Sequence, residues 1–234
     1  GAKEPAVSHV SFEAKPGETT AIIGSTGSGK TALVGLIPRF YDVQEGEVLV
    51  DGVNVKDYDR RTLRRKIGYV PQKALLFKGT IMENIRFGDD SASDERVKEA
   101  AAIAQSTDFI EDKPDGFDSS ISQGGSNVSG GQRQRLAIAR AIVRKPEIYV
   151  FDDSFSALDF KTDSALRQAL SKETGNATVV IVAQRVSTIM NADRIIVMDE
   201  GKVMGIGTHR ELLNTCGTYQ EIVRSQLSEE EMSA

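Results

Sequence analysis

The stretch TTAIIGSTGSGKTALVGLI, Thr19 to Ile37, decides the fold. A strand-sized apolar run enters a glycine-rich loop, and the loop enters a helical pattern, so the loop stands where a buried strand hands over to a helix N-terminus. The loop GSTGSGKT, Gly24 to Thr31, has the spacing G-x-x-x-x-G-K-[ST]. Its backbone, from Gly24 through Ser25, Thr26, Gly27, Ser28 and Gly29, can wrap a β-phosphate with N–H groups, while the helix end adds positive potential. Lys30 can then reach the β and γ oxygens of a nucleoside triphosphate, and Thr31 can ligate Mg²⁺. Gly35 falls inside the expected helix, where it costs about 1 kcal/mol relative to Ala.

The same alternation continues outward from this stretch. EVLVDG, KIGYVP, EIYVFD, ATVVIVA and RIIVMDEGKVMGIG read as strands, several of them apolar on both faces as strands buried in a parallel sheet must be. Between Pro71 and about Gln123 the strand signal gives way to helical patterns, including SASDERVKEAAAIAQSTDFIED with Ser93 as its cap. That block predicts a helical subdomain inserted in an α/β core. Glu200-Gly201 predicts a hairpin turn, Thr208 to Glu211 a capping box, and SEEEMSA a disordered tail.

At 234 residues the chain is long enough for one large domain with an insertion, and its net charge of −5 leaves no basic stripe to follow a nucleic-acid backbone. Nucleic acid is therefore not an expected partner. A single cysteine, Cys216, excludes an internal disulfide framework and reads as a packed small residue. No apolar run reaches the length of a membrane span, so a protein working at a membrane needs another segment to cross it. The first residues enter a strand-like pattern at once, and the chain reads as a fragment of something longer.

Two further stretches complete the chemistry. In YVFDDSFSALD, Tyr149 to Asp159, an apolar strand ends at Asp152, placed to hold Mg²⁺ through water beside the phosphate loop. In VSGGQRQRLAIARAIVRKP, Val128 to Pro146, Ser129 and Gln132 have capping-box spacing around Gly130 and Gly131. The helix that follows carries an apolar stripe through Leu136, Ala139 and Val143, and from spacing alone its N-terminus reads equally as a second anion site or as an ordinary well-capped helix. One triphosphate needs only one phosphate loop, so a second cradle points to a nucleotide held by another molecule.

At these residues the chain resembles the nucleotide-binding domain of ABC transporters over nearly its whole length. GSTGSGKT is similar to Walker A, VSGGQ to the LSGGQ signature, IYVFD to Walker B, SALD (Ser156 to Asp159) to the D-loop, and Gln72 in YVPQ to the Q-loop glutamine. LLFKGTIMENIRFG resembles the exporter branch. The resemblance implies a P-loop NTPase (RecA-like) core sheet over 1–72 and 147–225, an antiparallel β subdomain, an inserted helical subdomain over about 73–146, and a tail over about 226–234. It implies ATP and Mg²⁺ as ligands, with Thr31, Gln72 and Asp152 toward the metal, and a transmembrane domain that holds the chain at the cytoplasmic face of the cell membrane. It also implies a head-to-tail pair of nucleotide-binding domains, with each ATP between one Walker A and the other domain's signature.

Two positions depart from the family pattern. The glutamate expected after the Walker B aspartate is Asp153, whose shorter side chain leaves the carboxylate about 1 Å from where a base must stand, and a misplacement of that size can cost on the order of 10²-fold. The histidine expected after the following strand is Gln184, and neither His9 nor His209 can stand in for it. Asp153, Gln184 and Gln72 are the candidate catalytic positions. Both departures fall on hydrolytic positions beside an intact loop and signature, which resembles the degenerate half of a heterodimeric exporter, paired with a different chain. The family's adenine-stacking aromatic falls upstream of this sequence. The competing readings are a soluble ABC-type ATPase of the DNA-repair or translation class, which lacks support in any coiled-coil insertion, and a module that holds ATP without cleaving it.

Overall fold

The structure, a computed structural model, describes residues 5–226. The expected tail lies outside the described residues except for Gln226, which ends the last helix. In chain order come β1 (Thr19–Gly24), α1 (Lys30–Gly35), β2 (Leu49–Val50), β3 (Val53–Asn54), α2 (Arg60–Arg65) and β4 (Ile67–Val70). Then follow β5 (Gly79–Thr80), α3 (Ile81–Arg86), α4 (Asp94–Ile103), α5 (Thr107–Glu111), β6 (Ser120–Ile121) and α6 (Gly130–Ile142). The chain closes with β7 (Ile148–Asp152), α7 (Phe160–Glu173), β8 (Thr178–Ala183), α8 (Val186–Ile189), β9 (Arg194–Asp199), β10 (Lys202–Gly207), α9 (His209–Thr215) and α10 (Gly217–Gln226).

Six strands form the main sheet in the order β10-β9-β1-β8-β7-β4. All neighbours pair in parallel except β10, which returns antiparallel to β9 through the Glu200-Gly201 turn, both residues at positive φ (43° and 76°). The sheet is covered on both faces, which explains its apolar strands. Ala21, Ile23, Tyr149 and Phe151 face a core shared with Leu136 of α6 and Leu166 of α7, while Ile22, Val150, Val180 and Val182 face Leu33 and Val34 of α1. Leu136 is fully buried, and its truncation to Ala should cost about 2–5 kcal/mol.

Register places the site. Ile23 lies opposite Ala183 and Asp152 opposite Val182, so the loops leaving β1, β7 and β8 emerge side by side at the carboxyl ends of the parallel strands.

The structure refines three expectations. EVLVDG contributes only the two residues of β2, paired with β3 in a separate antiparallel hairpin. The region after Pro71 is mostly helical, with Ser93 capping α4 through Arg96 N (3.2 Å), but β5 and β6 form a small antiparallel ladder within it. Ladders of two residues are too short for a period of two to show in sequence. Finally, α1 ends at Gly35 with Leu36 as its C-cap, so Gly35 takes the last helical position and not the interior one for which the cost was expected.

Candidate nucleotide site

The phosphate loop is built from backbone that only glycine adopts readily. Gly27 and Gly29 have φ of 84° and 93°, and a Cβ on Gly24 would stand 2.1 Å from the Met198 carbonyl oxygen. Lys30 follows at the start of α1 and is only 8% exposed. Its ammonium donates to the carbonyls of Gly24 (2.8 Å) and Ser25 (2.7 Å) and to Ser28 Oγ (3.3 Å). Burial pulls its pKa below the ordinary lysine value, opposed in part by the charges of Asp153 and Asp152. Among the described residues no carboxylate lies within ion-pair distance of this cation. A buried ammonium held by two loop carbonyls and a hydroxyl, without an ion-paired carboxylate among the described residues, fits a phosphate.

Asp152, at the end of β7, is 2% exposed and has both oxygens engaged. Thr31 Oγ1 donates to Oδ1 (3.0 Å) and the Tyr69 hydroxyl to Oδ2 (2.9 Å). Tyr69 escaped the sequence reading, although its place in KIGYVP on the neighbouring strand is where a side chain can meet the end of β7. Burial first, then the negative charge of Asp152, push the Tyr69 pKa well above the ordinary phenol value, so it remains a donor. The hydroxyl of Thr31 and the carboxylate of Asp152 are hard oxygen donors of the kind Mg²⁺ takes, and one or two carboxylates suffice because that ion keeps several waters.

Asp153 sits next to it but in a different environment. It is 7% exposed, takes a positive φ of 47°, and donates its N–H to Val182 O (2.9 Å). Its Oδ2 accepts from both Gln72 Nε2 (2.9 Å) and Gln184 Nε2 (2.7 Å). Desolvation raises the Asp153 pKa, and the two amides and Ser156 offset part of that rise. The three catalytic candidates thus meet at one oxygen, and Gln72 presents its amide nitrogen to Asp153.

The second cradle stands apart. Ser129 Oγ accepts from Gln132 N and Gln132 Oε1 from Ser129 N (both 3.1 Å), completing the expected capping box at the start of α6. Ser129 and Gly130 are exposed, and a Cβ on Gly130 would meet nothing within 4 Å. Gly131 packs against the turn before α7, where an added Cβ would stand 3.2 Å from Ala157 O. Among the described residues, no side-chain hydrogen bond joins Ser129 or Gln132 to Lys30, Thr31, Asp152 or Asp153. The connection to the first cradle is indirect, through Gln134 Nε2 on Pro71 O (3.2 Å), beside Gln72.

A phosphate loop with a strand-end aspartate beside it is the arrangement of a P-loop nucleotide site, and the capped glycine pair at the start of α6 stands apart from it. The family model for ABC transporters matches residues 7–156. An uncharacterized ABC transporter ATP-binding protein of Mycobacterium tuberculosis is 49% identical over 229 residues, which is 97% of this chain and 39% of the relative. The ATP-dependent lipid A-core flippase of Desulfotalea psychrophila is 42% identical over 223 residues, covering 95% of this chain and 39% of the flippase. Among solved structures, a bacterial Atm1-family ABC exporter with ATP bound matches with a TM-score of 0.93 at 38% identity, over 96% of this chain and 40% of that one. The chain belongs to the ABC transporter family, as an ATP-binding domain of the exporter type. It spans about two fifths of the length of the curated relatives it matches. None of its described helices is long and apolar enough to cross a membrane.

Proposed function

We propose that this domain binds Mg-ATP on its Walker face, hydrolyses it slowly there, and lends its signature helix to ATP held by a different ATP-binding domain in a head-to-tail pair. The pair powers export through a transmembrane domain that keeps this chain at the cytoplasmic face of the membrane. We read residues 1–72 and 147–225 as the core and about 73–146 as the inserted helical subdomain.

Each residue has a task. The amides from Gly24 to Gly29 and the Lys30 ammonium would hold the phosphates, and Thr31 and Asp152 would hold Mg²⁺, with Gln72, which donates to Asp153 here, turning its amide oxygen to join them. Bound Mg-ATP supplies the γ-phosphoryl group whose transfer to water drives the cycle. Asp153 stands at the position of the general base, one methylene short, and its Oδ2 is already shared by two amide donors. Gln184 occupies the position of the γ-phosphate contact and can donate a hydrogen bond but carries no charge. Ser129, Gly130, Gly131 and Gln132 present a helix N-terminus, favourable to negative charge, to the partner's nucleotide.

The observation that carries this reading is the separation of the cradles: the capped N-terminus of α6 is exposed and, among the described residues, makes no side-chain bond to the Walker group of its own chain. Isolating the assembled transporter and following a single turnover of ATP tests it. The expected result is two different ATP-binding domains in the complex, with one nucleotide cleaved promptly and the other retained. A complex containing two copies of this chain, or equal prompt cleavage at both sites, contradicts it.

A further inference from the structure

Gln184 is tied to Asp153 by its side chain, but its backbone is held by a residue far along the sequence. Gln226, the last residue of α10, donates from Nε2 to the Gln184 carbonyl (2.7 Å) and accepts at Oε1 from Val186 N (2.8 Å). One carboxamide thereby grips both sides of the turn between β8 and α8. The grip fills a vacancy in local structure: Arg185, the N-cap residue of α8, makes no side-chain cap, so the helix's first N–H has no partner from its own segment. α10 is itself anchored by the fully buried Tyr219 and Val223. The same turn borders a cavity of about 460 Å³ lined by Ser156, Gln184, Arg185, Ser187 and Gln226, which gives it room to move if released.

We infer that Gln226 is a positioning residue for the Walker face, a clamp from α10 that fixes the Gln184 turn and, through it, the amide that reaches Asp153. This rests on the proposed role of Gln184 at that face. An unbroken chain of hydrogen bonds runs from Gln226 to the Gln184 backbone, from the Gln184 side chain to Asp153, and from Asp153 to Gln72. Losing the two clamp bonds lets the turn wander, and the donor that Gln184 offers at the γ-phosphate end of the site is then held less often in place.

The test follows displacement of a fluorescent ATP analogue from the assembled transporter, reading the slow phase that belongs to this Walker face. Gln226→Ala should quicken that phase about threefold to tenfold, as expected for one or two modest hydrogen bonds. Gln226→Glu keeps an acceptor for Val186 N but sets an oxygen against the Gln184 carbonyl, and should quicken it too. In a Gln184→Ala background, Gln226→Ala should add nothing, because both act at one point. Additive effects, or a Gln226→Ala variant with unchanged release while Gln184→Ala quickens it, overturn the clamp. If Gln184→Ala itself leaves release unchanged, the reading of the Walker face fails, and the clamp with it.

Discussion

The two candidate phosphate cradles of this chain are built in opposite ways. The Walker cradle is enclosed: Lys30, Asp152 and Asp153 are each less than a tenth exposed and each is hydrogen-bonded to groups within the site. The signature cradle is open, its only side-chain bonds among the described residues being the reciprocal pair that caps its own helix. Enclosure suits a site that must hold a highly charged ligand and position a metal. Openness suits a surface whose ligand arrives on another molecule. On the proposed reading, the difference divides the labour: substitutions in the enclosed cradle should alter binding and turnover on this chain, and those in the open one should alter what a partner cleaves.

The sharpest break of that comparison is Lys30→Ala. Removing the only buried cation of the loop should weaken Mg-ATP binding by about a hundredfold or more, read by calorimetry. Ser129→Ala should leave the same isotherm unchanged, and an equal loss on both would erase the distinction between the faces. Next in size, Asp153→Glu combined with Gln184→His should raise turnover at this Walker face on the order of 10²-fold, and more than either change alone, since base and γ-phosphate contact act on one transition state. Tyr69→Phe removes one donor to the buried Asp152 and should cost about 1–2 kcal/mol of stability, measured by chemical denaturation, with a small loss of Mg²⁺ dependence.

The smallest expected effect concerns pH. Burial raises the Asp153 pKa, so the native carboxyl holds its proton to higher pH than the unfolded one. Its ionisation therefore costs native stability: the cost is absent below the usual carboxylate range and fully present once pH exceeds the native value. Asp153→Asn keeps an oxygen for Gln72 and Gln184 and removes that cost, so the nucleotide-free variant should melt higher than the parent near neutral pH. The margin should vanish as pH falls through the carboxylate range, as thermal melts across pH would show.

Much of this was legible in sequence because the key groups are local. The loop from Gly24 to Thr31, the capping boxes at Ser129 and Thr208, and the hairpin at Glu200-Gly201 are each fixed by residues within a few positions of one another, and each forms as expected. What escaped was set by tertiary pairing. Tyr69 meets Asp152 only because β4 lies beside β7, a neighbour relation that no local period records. Gln226 meets the Gln184 turn across 42 residues, and the convergence of Gln72 and Gln184 on one oxygen of Asp153 depends on three separate loops. The two-residue ladder of β5 and β6 was too short to leave a pattern.

The central claim is that the signature here serves a productive site on the partner while Asp153 serves a slow one. Steady-state ATPase of the assembled transporter tests it most directly, comparing Ser129→Ala with Asp153→Ala at matched thermal stability. The account predicts a loss on the order of tenfold to a hundredfold for Ser129→Ala, through the developing charge its helix end no longer meets, and a change of less than about twofold for Asp153→Ala. A severe loss with Asp153→Ala beside a mild one with Ser129→Ala would contradict it.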